Sequence, residues 1–240
     1  MKIEVWSDYV CPFCYIGKRH LEQALEQFSH KDQVEVTYMS YELDPNSPKD
    51  FGKSYGELLA AKYGMSAKKA KRTLDGITQR AASAGLTYKF DKMIPTNTFD
   101  AHRLTKFAKR NGKETEMTET LLSAFFTEGK HIGDRETLAD LAASIGLDRE
   151  EALNTLHDEK AYENEVRADQ QMARQIGIKG VPFFVINEKY ALSGAQPVEA
   201  FAEALQKVWE EEKQSPILED ISSEESASCE DGNCVIPEKE

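Results

Sequence analysis

Cys11 and Cys14, enclosing Pro12 and Phe13, constrain this chain more than any other stretch, because they stand where one periodicity gives way to another. Ile3, Val5 and Trp6 form an extended apolar run that Ser7, Asp8 and Tyr9 interrupt. Leu21, Leu25 and Phe28 then recur at helical spacing. Proline is favoured at the first helical position, where its missing N–H costs nothing. The pattern therefore predicts a strand, a turn and a helix, with Cys11 at the N-cap and Cys14 at the third helical position. Thiols at that spacing share a face and lie within reach of a disulfide. The N-cap sulfur also faces the free N–H groups at the positive end of the helix dipole, which favours thiolate over thiol. Such a pair is the apparatus of thiol–disulfide exchange.

Composition bears on the setting of that chemistry. Of the 240 residues, 30% are charged, mean hydropathy is −0.58, and no apolar stretch approaches the ~20 residues of a membrane span. The N-terminus lacks the continuous apolar core of a signal peptide, so a cytoplasmic location with no membrane partner is expected. The net charge of −12 is uneven, since the stretch from Glu210 to Glu240 holds 11 acidic and 2 basic residues. The remainder is close to neutral, and neither part has the basic patch of a nucleic-acid binder. The cysteines form two pairs, Cys11/Cys14 and Cys229/Cys234. Structural disulfides are rare in the cytosol, so catalytic or metal-binding roles gain weight. A tetrathiolate metal site closed across the whole chain, with Pro12 inside the first pair, is disfavoured, and no metal is expected.

Residues 1–43 read as strand, turn, helix and strand, with Val34, Val36 and Tyr38 alternating in the second strand. Asp44-Pro45-Asn46-Ser47-Pro48 stops any regular element. Helical patterning then dominates to Ile176. Tyr55, Leu58, Leu59 and Tyr63 share one face, and Ser66 caps a helix whose Lys68, Lys69, Lys71 and Arg72 read as a solvated face. Pro95 keeps 86–98 irregular, and Thr98 is the expected cap of a helix holding Ala101, Leu104 and Ala108. Met117, Leu121, Leu122 and Phe125 make a strong apolar stripe. Asp134 and Asp148 open two further helices, and Tyr162, Val166, Ala173 and Ile176 mark the last, with Gly177 as its C-cap. Strand character returns at 181–186, followed by a turn at Asn187-Glu188-Lys189, a strand at 190–193 and a final amphipathic helix. The order predicts an α/β thioredoxin fold, βαβ…ββα, carrying a large all-helical insertion. Residues 1–43 and 177–213 would form the thioredoxin-like domain and 44–176 the insertion. The Ser- and Glu-rich segment 214–240 is expected to be a flexible acidic tail bearing the second cysteine pair.

The chain resembles the DsbA-like thioredoxin-fold oxidoreductases, in particular their FrnE-like branch. The resemblance rests on residues 7–17 around Cys11-Pro12-Phe13-Cys14 and on Asn97-Thr98-Phe99-Asp100-Ala101-His102-Arg103. Gly180-Val181-Pro182-Phe183-Phe184 and Ser193-Gly194-Ala195-Gln196-Pro197 complete it. It implies a cis peptide bond before Pro182 and a substrate-docking edge formed by Phe13, Val181 and Pro182. Cys11 would be the attacking thiolate and Cys14 the resolving thiol. It also places Asn97 and His102 towards the active site from the insertion, either as a pocket for a substrate or glutathione-like thiol, or as a turn residue and a satisfied helix histidine. Lys18 and Arg19 read as solvated, and His20, His30, His131 and His157 carry no expected chemistry.

Phe13 occupies a dipeptide position that is a histidine in the strongly oxidising members of the group, and it supplies no positive charge. A less oxidising disulfide follows, which a cytosolic poise of roughly −220 to −320 mV keeps reduced. The expected activity is that of a cytoplasmic thiol–disulfide oxidoreductase or disulfide isomerase with no cofactor beyond its own redox-active disulfide. Its partners would be cysteine-containing protein substrates and a cellular thiol reductant, with glutathione or another small thiol as co-substrate. Some FrnE-like members carry a second CxxxxC, so Cys229 and Cys234 are read either as a second redox pair exchanging with the first over a tether reaching ~25 Å, or as exposed, oxidation-prone bystanders. The alternative is a glutathione-dependent transferase or isomerase of the kappa-class or 2-hydroxychromene-2-carboxylate isomerase type. Those relatives have serine where this chain has Cys11.

Overall fold

The computed structural model describes residues 1–214 and two short strands beyond them, Ser228–Glu230 (β5) and Asn233–Val235 (β6). The thioredoxin fold is present. Strand β1 (Lys2–Ser7) leads through the cysteine turn into α1 (Pro12–Gln27), and β2 (Glu35–Ser40) returns parallel to β1. Late in the chain, β3 (Phe183–Ile186) pairs antiparallel with β1, and β4 (Tyr190–Ser193) with β3. The sheet order is β2-β1-β3-β4. Asn187 and Glu188 take positive φ values of 51° and 55° in the three-residue turn between β3 and β4, which Lys189 N closes by donating to Ile186 O at 3.1 Å.

Alternation along β1 assigns the two faces of the sheet. Ile3 and Val5 pack with Leu21, Phe28, Phe184 and Phe201 beneath α1 and the last helix, α9 (Val198–Gln214). Trp6 points the other way, towards Ala173 and Ile178, and its indole N–H donates to the Asp169 carbonyl at 3.2 Å.

Between β2 and β3 lie α2 (Tyr55–Lys62), α3 (Ala67–Ser83), α4 (Phe99–Arg110), α5 (Glu114–Ser123), α6 (Arg135–Ser144), α7 (Arg149–His157) and α8 (Glu163–Gln175). They share a second apolar core that includes Leu104, Leu121, Phe125 and Phe126. Ser54, Ser66, Asp134 and Asp148 accept from N–H groups in the first turns of α2, α3, α6 and α7. Buried Arg103 spends its guanidinium on the Thr155, Leu156, Asp158 and Ala161 carbonyls around the end of α7.

The structure corrects the sequence reading in four places. Thr98 stands at the N-cap of α4 but its hydroxyl caps nothing; Asn97 does the work, its Oδ1 accepting from Phe99 N at 2.9 Å. The apolar stripe of α5 does not continue as α-helix, because Ala124–Glu128 is a π-helical turn closed by Gly129. The wider turn places consecutive Phe125 and Phe126 fully inside and leaves the Phe126 carbonyl to accept from Lys89 N at 2.8 Å. Tyr162 and Ile176 lie outside α8, as its N-cap with φ 59° and its exposed C-cap. Lys18 is not solvated but 2% exposed, held by Glu22 at 2.5 Å and by Glu119 of α5. Arg19 joins the same carboxylates at 2.8 Å, so α1 is bolted electrostatically to α5. A single sequence cannot reveal that network, since Glu119 is about a hundred residues away.

Candidate active site

The turn after β1 is tied by Cys11 N donating to Asp8 O at 3.2 Å, and Cys11 stands at the N-cap in extended conformation with Pro12 at the first helical position. Its side chain does not cap the helix. The Cys11 thiol instead donates to the Val181 carbonyl at 3.5 Å, across a cis Val181–Pro182 bond. A thiol can donate to a carbonyl but a thiolate cannot, so ionisation of Cys11 releases the Val181 carbonyl from this bond. Cys14 lies beneath it, 2% exposed, and accepts from Asp8 N at 3.4 Å. Burial, then the adjoining Cys11 thiol, push the Cys14 thiol well above the ordinary range. Both cysteines are unbridged thiols.

Three other groups fix this turn. An ideal Cβ on Gly17 would stand 3.0 Å from Pro182 Cγ and 3.1 Å from Phe184 Cζ, so glycine lets α1 approach the Pro182 loop without displacing either side chain. Tyr88 donates to the Pro12 carbonyl at 2.6 Å and Tyr55 to the Val10 carbonyl at 3.3 Å. Burial raises the titration of both phenols, so they remain donors at neutral pH. The Tyr88 ring stacks on Phe126 at 4.6 Å, which shows what the π-helical turn accomplishes for the site. No local pattern identifies Tyr88, an aromatic residue in an irregular segment.

Asp8, whose sequence context marks it only as a strand breaker, is 1% exposed. Its Oδ2 accepts from Leu43 N at 2.8 Å, and its Oδ1 faces His102 Nε2 at 3.5 Å. The His102 ring also packs on Tyr9. His102 therefore sits behind the cysteine turn, buried against Asp8. Asn97 is turned to the backbone, donating to the Pro45 and Ser47 carbonyls at 3.3 and 3.2 Å. Phe13 packs against the helical core and lines a cavity of about 1120 Å³ that opens beside Cys11.

The DSBA-like thioredoxin domain matches residues 2–206. The chain belongs to that family. A relative from Bacillus subtilis (strain 168), the uncharacterized protein YwbO, is 31% identical over 210 residues, covering 85% of this chain and 94% of its own. A probable DsbA oxidoreductase from Streptomyces coelicolor, SCO1869, superposes with a TM-score of 0.85 at 39% identity, over 99% of this chain and 100% of that one. The cytosolic disulfide reductase DsbM from Pseudomonas aeruginosa, solved with GSH, shares the fold at a TM-score of 0.62 and 16% identity, over 88% of this chain and 100% of its own. This DsbA-like protein is thus a thioredoxin-fold member of an oxidoreductase family. Among the described residues, no helix is long and apolar enough to cross a membrane.

Cys229 and Cys234 stand opposite each other in the antiparallel pair β5–β6. Their side chains, and the remainder of the segment expected to be a flexible tail, lie outside the described residues.

Proposed function

We propose that this DsbA-like protein is a thiol–disulfide oxidoreductase acting in the cytoplasm, as a disulfide reductase or isomerase more than as a net oxidase. One observation carries the reading: the Cys11 thiol rests on the Val181 carbonyl beside cis-Pro182, with Cys14 buried directly behind it. An extended substrate segment pairing with the Val181 backbone would bring its disulfide sulfur to Cys11. Cys11 attacks as thiolate, one substrate sulfur leaves as thiolate, and a mixed disulfide remains. Cys14 then loses its proton and attacks the Cys11 sulfur, releasing the second substrate thiol and leaving Cys11–Cys14 oxidised. A cellular thiol, glutathione or another small one, would restore the dithiol, and no other cofactor is needed.

The direction follows from Phe13, which offers the Cys11 thiolate no positive partner. A cytosolic reductase sharing the fold is consistent with the compartment. Asn97 and His102 serve the site by fixing the loop at 45–47 and by packing on Asp8. Cys229 and Cys234 form an auxiliary pair, a reading supported by their opposed positions in the register of β5 and β6. The 2-hydroxychromene-2-carboxylate isomerase among the solved structures shares the fold only, at 14% identity, and the adjacent thiols favour disulfide exchange over that chemistry.

Insulin reduction and refolding of scrambled ribonuclease test the proposal. Activity in both, abolished by Cys11→Ser, is expected. An equilibrium potential with glutathione near −120 mV, that of the strongest oxidants, would reverse the assigned direction. Replacing Cys229 and Cys234 by serine should slow turnover or change the disulfide state of Cys11 and Cys14.

A further inference from the structure

The cavity beside Cys11 is apolar within and cationic at its edge. Inside, it is walled by Phe13, Tyr55, Leu58, Leu59, Ile77 and Phe125, all buried or half-buried. Its α3 wall comes from residues 72, 73, 76, 77 and 80, a spacing that keeps them on one face. Arg72 and Arg80 stand at the two ends of that face, about 12 Å apart along the axis. Both are exposed, as is Lys62 at the end of α2, and all three line the cavity. None of the three makes a side-chain hydrogen bond or ion pair among the described residues.

The cations of α1 and α4, by contrast, are each paired with a carboxylate. The acids that line the same space are otherwise engaged. Asp8 is buried against Leu43 N and His102, and Asp44 accepts from Asn46 N at 3.1 Å. Exposed Leu43 and Tyr63 extend the apolar wall to the rim. At about 1120 Å³ the space exceeds the range of about 300–1,000 Å³ typical of small-ligand pockets. A small, uniformly polar thiol would leave most of this wall uncovered.

We infer that the cavity selects disulfides whose sulfur is carried on an elongated apolar body ending in an anionic group, the body covering the inner wall and the anion meeting Arg72, Arg80 and Lys62. This rests on the proposed disulfide chemistry and names the substrate class for it. The reaction is complete within one turnover. Cys11 thiolate attacks R–S–S–R and expels the first RS⁻, and Cys14 displaces the second. The enzyme ends as the Cys11–Cys14 disulfide, with R–S–S–R reduced to two RSH after protonation by water.

Single-turnover oxidation of the fully reduced, full-length protein tests this with two probe series of equal sulfur chemistry. One is a set of symmetric ω,ω′-dithio-dicarboxylates of increasing methylene count, and the other is the matching diamides. The rate constant should rise by up to about four-fold per added methylene until the wall is covered, since each buried CH₂ contributes about 0.8 kcal/mol. Dicarboxylates should react about three- to ten-fold faster than diamides of the same length, with the preference shrinking as salt is raised. In R72A/R80A, whose altered positions are exposed, the dicarboxylate-to-diamide ratio should fall towards one. L58N should flatten the dependence on chain length.

A rate indifferent to chain length, or a carboxylate preference intact in R72A/R80A, would overturn the inference while leaving exchange chemistry standing. Failure of the reduced protein to react with any probe or with insulin would instead remove the reading on which it rests.

Discussion

Replacing Gly17 by alanine tests whether the contact between α1 and the Pro182 loop sets the geometry of the thiols. The added methyl would lie 3.0 Å from Pro182 Cγ and 3.1 Å from Phe184 Cζ, against an optimal carbon separation of about 3.5–4.0 Å. At least about half an ångström must be recovered. Phe184 cannot supply it, being fully buried with Phe201 edge-on behind it at 4.7 Å. The Pro182 loop is therefore the part that yields, carrying with it the Val181 carbonyl that accepts from Cys11. Overpacking of this size costs about 1–3 kcal/mol, and alanine recovers about 1 kcal/mol of helix propensity. The net loss is about 1 kcal/mol, or about 2–4 °C in Tm for a chain of this length. Thermal unfolding followed by circular dichroism reads the stability, and insulin reduction together with Cys11 alkylation reads the site. Exchange should suffer more than stability does, falling several-fold. A variant with equal or higher Tm and unchanged turnover would refute the claim that this approach positions Val181 against Cys11.

Other perturbations follow from the same geometry. In C11S protein, Cys14 should resist alkylation at neutral pH and become reactive only well above about pH 8.5, the ordinary thiol value. Because the folded state holds that proton longer than the unfolded state does, its stabilising contribution is complete below about pH 8.5 and is lost as pH rises from there. Urea midpoints of the reduced wild type should fall more steeply above that pH than those of C14A, and parallel profiles would contradict a raised Cys14 titration. K18M should cost about 2 kcal/mol in urea unfolding, below the ~3–5 of a fully buried pair because Glu22 and Glu119 remain 30% and 35% exposed. N97A should lose about 1–2 kcal/mol from one helix cap and two loop anchors, with insulin reduction changed less than threefold. A tenfold loss of activity there would make Asn97 a substrate ligand.

The cysteine turn was legible in the chain because its signals are local. A strand period of two, a proline at the first helical position and a helical period of about 3.6 meet within a few residues around Cys11 and Cys14. The split order of strands and helices, with apolar stripes on each helix, likewise carried the fold class. The serine and aspartate caps at Ser66, Asp134 and Asp148 are local too, each reading an N–H three residues on. Thr98 misled because a cap depends on backbone angles as well as residue type: at φ −103°, ψ 2° its hydroxyl misses the first turn, while Asn97 reaches it.

Tertiary structure alone decided which distant groups meet the thiols. Asp8 and His102 are 94 positions apart in the numbering and 3.5 Å apart in space. Tyr55 and Tyr88 hold carbonyls of the cysteine turn from the helical segment, and the π-helical turn at Ala124–Glu128 supplies the surface on which Tyr88 stacks. The cationic face of α3 reads in sequence as solvated, and only packing against the cysteine turn makes Arg72 and Arg80 the rim of a cavity. Periodicity reports which side of an element is apolar; it contains no term for what that side will face. Which partner arrives is settled by burial, by the pairing of charges and by the room left between elements, and these exist only once the chain has closed on itself.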